Sequence, residues 1–298
     1  MNASGWQNRP DEPLAHDQVI CPGAAFMSRR STLFSLIRLP QAHAQPDIAM
    51  DEARALLFIS DLHLSPAIPR TVAAFERFIA HTASGAAAVY ILGDLFEYWI
   101  GDDMLATPFA QEVATTLRSL AQRGIALYVM QGNRDFLLGQ RFAEAAAGTL
   151  LPDPFVLEAF GRSIVLAHGD ALCTADTGYQ RFRRVSHSRA GRGFFLSWPL
   201  RWRLALAERM RNKSQTTWTP ERMVIADVTD EGVAALFRSS KAPTLIHGHT
   251  HLPATHRQDV DGMATERWVI PDWDLDHGKP RGGYLQLDAN GIVAHPLD

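Results

Sequence analysis

Short apolar runs, each breaking into glycine, aspartate, asparagine or histidine, recur through the middle of this chain. Leu56-Leu57-Phe58-Ile59-Ser60 runs into Asp61 and His63, Val89 to Leu92 into Gly93 and Asp94, and Leu127-Tyr128-Val129-Met130 into Asn133. Ile164-Val165-Leu166-Ala167 runs into His168, and Thr244-Leu245-Ile246 into His247 and His249. Continuous apolar runs of this length, bounded by polar residues, read as parallel strands buried on both faces. Between them the period changes to that of helices. Val72, Phe75, Phe78 and Ile79 predict a helix near 69–82; Thr107-Pro108 as cap and first residue, with Gly124 as stop, predict another over about 107–123.

A short helix over 140–147, strands at 155–159 and 163–167 across a turn at Gly161-Arg162, and a helix near 229–239 follow. Residues 243–297 read as strands separated by turns at Asp261-Gly262, Gly282-Gly283 and Asn290-Gly291. The first half has the alternation of a parallel α/β sheet with right-handed crossovers. The second half is β-rich. Two sheets packed together with helices outside are therefore expected, with ligands beyond the carboxyl ends of the strands.

Two stretches break the pattern. Residues 176–213 are helical in tendency and dense in arginine, and they interleave Phe194, Phe195, Leu196, Trp198, Leu200, Trp202 and Leu204. That is too much apolar bulk for a solvated face, so the stretch reads as an insertion. Residues 1–53 show no period and predict a disordered extension ahead of a domain over 54–298. Within the extension, Thr32 to Ile37 imitates a signal peptide behind Arg29-Arg30. Its apolar core of about six residues, cut by Arg38, is shorter than the ~7–15 a signal needs and argues against export.

Composition narrows the classes. A length of 298 residues with 46% apolar content supports a large core, and a net charge of −3 offers no general attraction to nucleic acid. The two cysteines, Cys21 and Cys173, have no metal-ribbon spacing and fit a reducing compartment. No apolar run approaches the ~18 residues of a membrane-spanning helix.

The strand ends carry the chemistry. Asp61, His63, Asp94, Asn133, His168, His247 and His249 mix carboxylate, amide oxygen and imidazole without thiolate, a set suited to Mn²⁺, Fe²⁺ or Zn²⁺. They are too many for one ion. Two ions sharing the Asp94 carboxylate would use them all. Paired cations acidify a water and neutralise charge on phosphorus, so phosphoester or phosphoanhydride hydrolysis is the expected reaction.

The order Asp-x-His, Gly-Asp, Gly-Asn, His, Gly-His-x-His resembles the calcineurin-like metallophosphoesterase family over about 56–251. The resemblance implies a four-layer αββα sandwich with a helical cap insertion at about 176–220. It also implies one metal on Asp61, His63, Asp94 and His249 and another on Asp94, Asn133, His168 and His247, leaving His251 to support the ligands from behind or to serve the structure. Where the common family form has Gly-Asn-His, this chain has Gly132-Asn133-Arg134-Asp135. Arg134 cannot serve as a general acid at neutral pH, but its planar fork can grip phosphate.

Together with His168-Gly169-Asp170-Ala171-Leu172-Cys173-Thr174, these strings look like the branch of the family that cleaves the pyrophosphate of UDP-2,3-diacylglucosamine in lipid A biosynthesis of Gram-negative bacteria. That resemblance implies Mn²⁺ as cofactor, attack of a hydroxide bridging the metals on the α-phosphorus, and Asp94, Asn133, Arg134 and His247 as catalytic residues. It further implies a cytoplasmic monomer, peripheral to the inner membrane, binding lipid and no nucleic acid. Substrate contacts would come from Asn133, Arg134, Asp176, Ser214 and His247. Trp218 and Glu221 stand where an asparagine and a lysine are usual, leaving Arg211, Lys213 or Arg222 to supply the missing cation. The insertion would offer an apolar groove with an arginine rim. A water-soluble phosphodiesterase or nucleotide pyrophosphatase is the alternative, and a catalytically silent scaffold a remoter one.

Overall fold

The computed structural model describes residues 54–215 and 227–297. The expected disorder of 1–53 therefore concerns residues outside those described. The first sheet contains β1 (Leu56–Ile59), β2 (Ala88–Leu92), β3 (Ala126–Met130), β4 (Thr149–Leu151), β10 (Gly283–Asp288) and β11 (Gly291–Pro296). They lie in the order β11-β10-β1-β2-β3-β4, with β1 to β4 parallel. The second sheet contains β5 (Phe155–Ala159), β6 (Arg162–Ala167), β7 (Thr244–His247), β8 (Thr255–Val260) and β9 (Met263–Val269), in the order β5-β6-β7-β9-β8. Here β6, β7 and β9 run parallel.

The inner faces meet through Phe58, Tyr90, Leu92, Tyr128 and Met130 on one side and Leu157, Ile164, Leu166 and Ile246 on the other. Phe58, Tyr90 and Tyr128 are register partners on adjacent strands, and their rings stack at 5.0 and 4.7 Å. Such cross-strand aromatic pairs pin register, and register fixes which residues leave the sheet together. On the outer face of the first sheet, α1 (Pro69–Ala80), α2 (Pro108–Gln122) and α3 (Gln140–Ala146) bury Phe75, Phe78, Leu117, Leu120 and Phe142 against Ile59, Ile91 and Val129. Among the described residues three further helices form the cap, α4 (Thr177–Ser186), α5 (Arg189–Leu196) and α6 (Leu200–Gln215). On the second sheet's outer face, α7 (Asp230–Ser240) packs Val233, Leu236 and Phe237 on Val165 and Leu245. The fold is the expected αββα sandwich.

Two expectations need correction. Thr149–Leu151 forms a fourth parallel strand, too short at three residues to display a period. Gly282-Gly283 is not a turn, because Gly283 opens β10. A Cβ on Gly283 would stand 2.5 Å from the His295 carbonyl oxygen, so glycine serves a close approach there.

Candidate metal centre

In both sheets the parallel strands point the same way, so their carboxyl ends share one rim. Asp61 follows β1, Asp94 follows β2, Asn133 lies beyond β3, His168 follows β6 and His247 ends β7. The loops are hydrogen-bonded across the strands: Asp61 N donates to Gly93 O at 3.1 Å, and Gly248 N to His168 O at 2.9 Å. Asp61, His63, Asp94, His249 and His251 all have φ between 50° and 69°. Left-handed backbone at five non-glycine residues of one rim is the strain that concentrates at functional sites. Two glycines admit the carboxylates. A Cβ on Gly132 would lie 2.2 Å from Asp94 Oδ1, and one on Gly248 would lie 2.2 Å from Asp61 Oδ2.

Among the described residues two clusters of donors form. Asp61, His63 and His251 bring ligand atoms within 4.8 Å of one another, as do Asp61, Asp94 and His168. His168 Nε2 lies 2.9 Å from Asn133 Oδ1 and 3.7 Å from Asp94 Oδ1, while His63 Nδ1 lies 3.9 Å from Asp94 Oδ2. His249 donates its backbone N–H to Asp61 Oδ2 at 2.8 Å and sets its ring edge-on to His168. His247 Nδ1 is 2.8 Å from Gly248 O, which leaves Nε2, 3.1 Å from Arg267 Nη1, as the acceptor. Asp61, His63, Asp94 and His168 are thus brought together, with Asn133 against His168, whereas the rings of His247 and His249 belong to neither cluster. His251, expected to support the ligands or the structure rather than to bind metal, puts its Nε2 within 3.3 Å of His63 Nε2 and 3.4 Å of Asp61 Oδ1.

These side chains fit divalent cations. Asp61 Oδ1 and His63 Nδ1 are buried without a hydrogen-bond partner of good geometry, which is costly unless another group meets them. Burial, with the charges of Asp135 and Asp61, pushes the Asp94 carboxyl up to about 7. Burial alone would lower His168, but Asp94, Asp61 and Asp170 outweigh it and raise the imidazole to about 9. A field that draws a proton so strongly onto a buried histidine also favours a cation.

Behind the donors stands a layer of carboxylates that no strand-end pattern marks. Asp135 accepts from Gly132 N at 2.7 Å and Leu95 N at 2.8 Å, joining the loops after β2 and β3. Glu97 Oε1 pairs with Arg134 Nη1 at 2.9 Å and aims that guanidinium toward Asp94, whose Oδ2 is 3.8 Å from Arg134 Nε. Asp272 lies between Arg281 Nε at 2.7 Å and His251 Nδ1 at 3.5 Å. The segment after β9 thereby has a role that its sequence did not disclose. Trp273 N also donates to Asp61 O at 3.1 Å.

The cap leans on this rim. Phe194, Trp202 and Val185 are 67%, 57% and 65% exposed. Its arginines do not all form a rim as expected. Arg203 is 3% exposed, donates to the carbonyls of Trp198 and Ile100, and pairs with Asp103, fastening α6 to the loop after β2. Arg192 Nη2 donates to Gln131 Oε1 at 2.9 Å, and His187 stacks on Phe136 at 5.3 Å. A period shows which residues share a helix face, but not which face turns inward. Asp176 caps α4, accepting from Tyr179 N at 2.8 Å. Ser214 lies on α6; Trp218, Glu221 and Arg222 fall outside the described residues.

The family model described as calcineurin-like phosphoesterase matches residues 55–253. A protein of Ralstonia nicotianae named UDP-2,3-diacylglucosamine hydrolase is 50% identical, over 81% of this chain and 92% of its own length. Proteins of the same name from Aeromonas hydrophila and Stutzerimonas stutzeri are 49% and 44% identical, over 80% and 81% of this chain and 99% and 98% of theirs.

Proposed function

Because the chain belongs to the calcineurin-like phosphoesterase family, we propose that it hydrolyses the pyrophosphate of UDP-2,3-diacylglucosamine, releasing UMP and 2,3-diacylglucosamine 1-phosphate in lipid A biosynthesis. The observation that carries this reading is the pair of donor clusters sharing Asp61, beneath Arg134 and beside an apolar cap. Asp61, His63, Asp94 and His249 would hold one divalent cation and Asp94, Asn133, His168 and His247 the other, with Mn²⁺ as the natural ion. When bound, the pair supplies an acidified water and neutralises charge on phosphorus.

The chain does the rest. Arg134, held by Glu97, grips the phosphate oxygens through its fork. His247 keeps Nε2 as its acceptor because Nδ1 is committed to the Gly248 carbonyl, and Arg267 would have to yield that atom for it to meet a cation or the substrate. The leaving group is itself a phosphate, so its departure needs no strong general acid, and arginine suffices where a histidine is common. Phe194 and Trp202 receive the acyl chains, each buried CH₂ contributing about 0.8 kcal/mol. The same surface holds the enzyme, as a monomer, to the cytoplasmic face of the inner membrane. Among the described residues no helix is long and apolar enough to cross a membrane.

Mass spectrometry of products formed in H₂¹⁸O tests the proposal with UDP-2,3-diacylglucosamine and with a water-soluble UDP-sugar. The label should enter UMP, with turnover confined to the acylated substrate. Label in the sugar phosphate would refute the site of attack, and equal turnover of the soluble UDP-sugar would refute the lipid substrate.

A further inference from the structure

The arginine Arg183 on α4 points away from the cap surface and into the body. Its Nε donates to Asp170 Oδ2 at 2.7 Å and its Nη2 to Asp153 Oδ2 at 3.1 Å. Tyr179, four residues earlier on the same helix, donates its hydroxyl to the same Asp170 oxygen. The Gln180 amide reaches the carbonyls of Asp170 and Cys173 at 2.8 and 3.1 Å. Spacings of three and four place these side chains on one face of α4.

The two carboxylates that Arg183 joins flank His168. Asp153 Oδ1 accepts the His168 backbone N–H at 3.3 Å, and Asp170 follows His168 after a single glycine. That glycine leaves no slack: a Cβ on Gly169 would stand 2.9 Å from His247 Nδ1 and 3.2 Å from His249 Cβ. Movement of the loop after β6 therefore presses on His247 at the end of β7 and on His249 just beyond it. We propose that Arg183 is a positioning residue by which the cap holds this loop still, so that the firmness of the ion at His168 is set from α4. The inference rests on reading His168 as a metal ligand.

Arg183→Ala would strand the buried Asp170 and the partly buried Asp153 and risks failing to fold. Arg183→Lys keeps the charge but loses the fork, so it can hold only one carboxylate well. Arg203→Lys is the matched control, because it loosens the cap at Asp103 and touches no rim donor. Mn²⁺ titration of the full chain by calorimetry, with electron paramagnetic resonance of the coupled pair, reads the effect without turnover. Arg183→Lys should weaken one of the two ions by about 10–100-fold and diminish the coupled signal. Arg203→Lys should bind both ions as wild type does. Wild-type affinity in Arg183→Lys, or equal weakening in Arg203→Lys, would overturn the inference. His168→Ala binding both ions normally would overturn the ligand assignment beneath it instead.

Discussion

Asp61, Asp94, His168 and His247 are each at most 2% exposed, whereas Phe194 and Trp202 of the cap stand 67% and 57% open. The rim buries charge and the cap displays aromatic rings, so each region breaks the usual partition in the opposite direction. Buried charge is expensive unless a counter-charge arrives, and exposed aromatic surface is expensive unless an apolar partner covers it. Local violations of this kind mark functional sites more reliably than any single residue type. On the proposed reading, the two violations would meet complementary halves of one ligand, a polyanion at the rim and acyl chains at the cap.

The sharpest way to break the comparison is at Asp94. Asp94→Ala removes the carboxylate proposed to bridge the ions, and kcat with Mn²⁺ should fall by about three orders of magnitude or more. Burial and neighbouring charges already strain that carboxyl in metal-free protein, so metal-free Asp94→Asn should melt no lower than wild type by calorimetry. Asp135→Ala comes next. It orphans the buried N–H groups of Gly132 and Leu95, and urea unfolding should show a loss of about 3 kcal/mol.

Smaller effects belong to the cap. Trp202→Asp and Phe194→Asp should leave stability within about 0.5 kcal/mol. They should nevertheless raise KM for the diacylated substrate about tenfold, the value of one buried aromatic group, in steady-state assays. Smallest is a pH effect at His187. Burial, with Arg183 and Arg192, lowers its pKa from 6.5 to about 4. The unfolded chain then takes up the proton first, so the cap's docking should be intact above about pH 6.5 and weaken as pH falls toward 4. Limited proteolysis across that range should cut the cap sooner at low pH, and His187→Gln should flatten the dependence.

Much of the rim was legible because strand ends are legible. Val89 to Leu92 can hardly be anything but a buried strand, and Gly93-Asp94 at its end had one place to go. Asp135 was not legible, because nothing in a carboxylate's neighbours along the chain says that it will accept N–H groups from a loop 40 residues away. Arg183 and Arg203 were hidden among like residues. Both read as members of a basic rim, and both turned inward where an aspartate, Asp170 or Asp103, stood close enough to offset the desolvation.

By itself the sequence determined the layered α/β plan, the chemical kinds of the rim donors and their delivery at strand ends. These depend on burial pattern and chain order, which are local properties. Tertiary structure alone decided that His251 comes beside His63, that Asp272 and Asp170 stand behind the donors, and which cap arginines are fasteners. Those outcomes depend on distances between segments remote along the chain, set by sheet register and by the need of each buried charge for a partner.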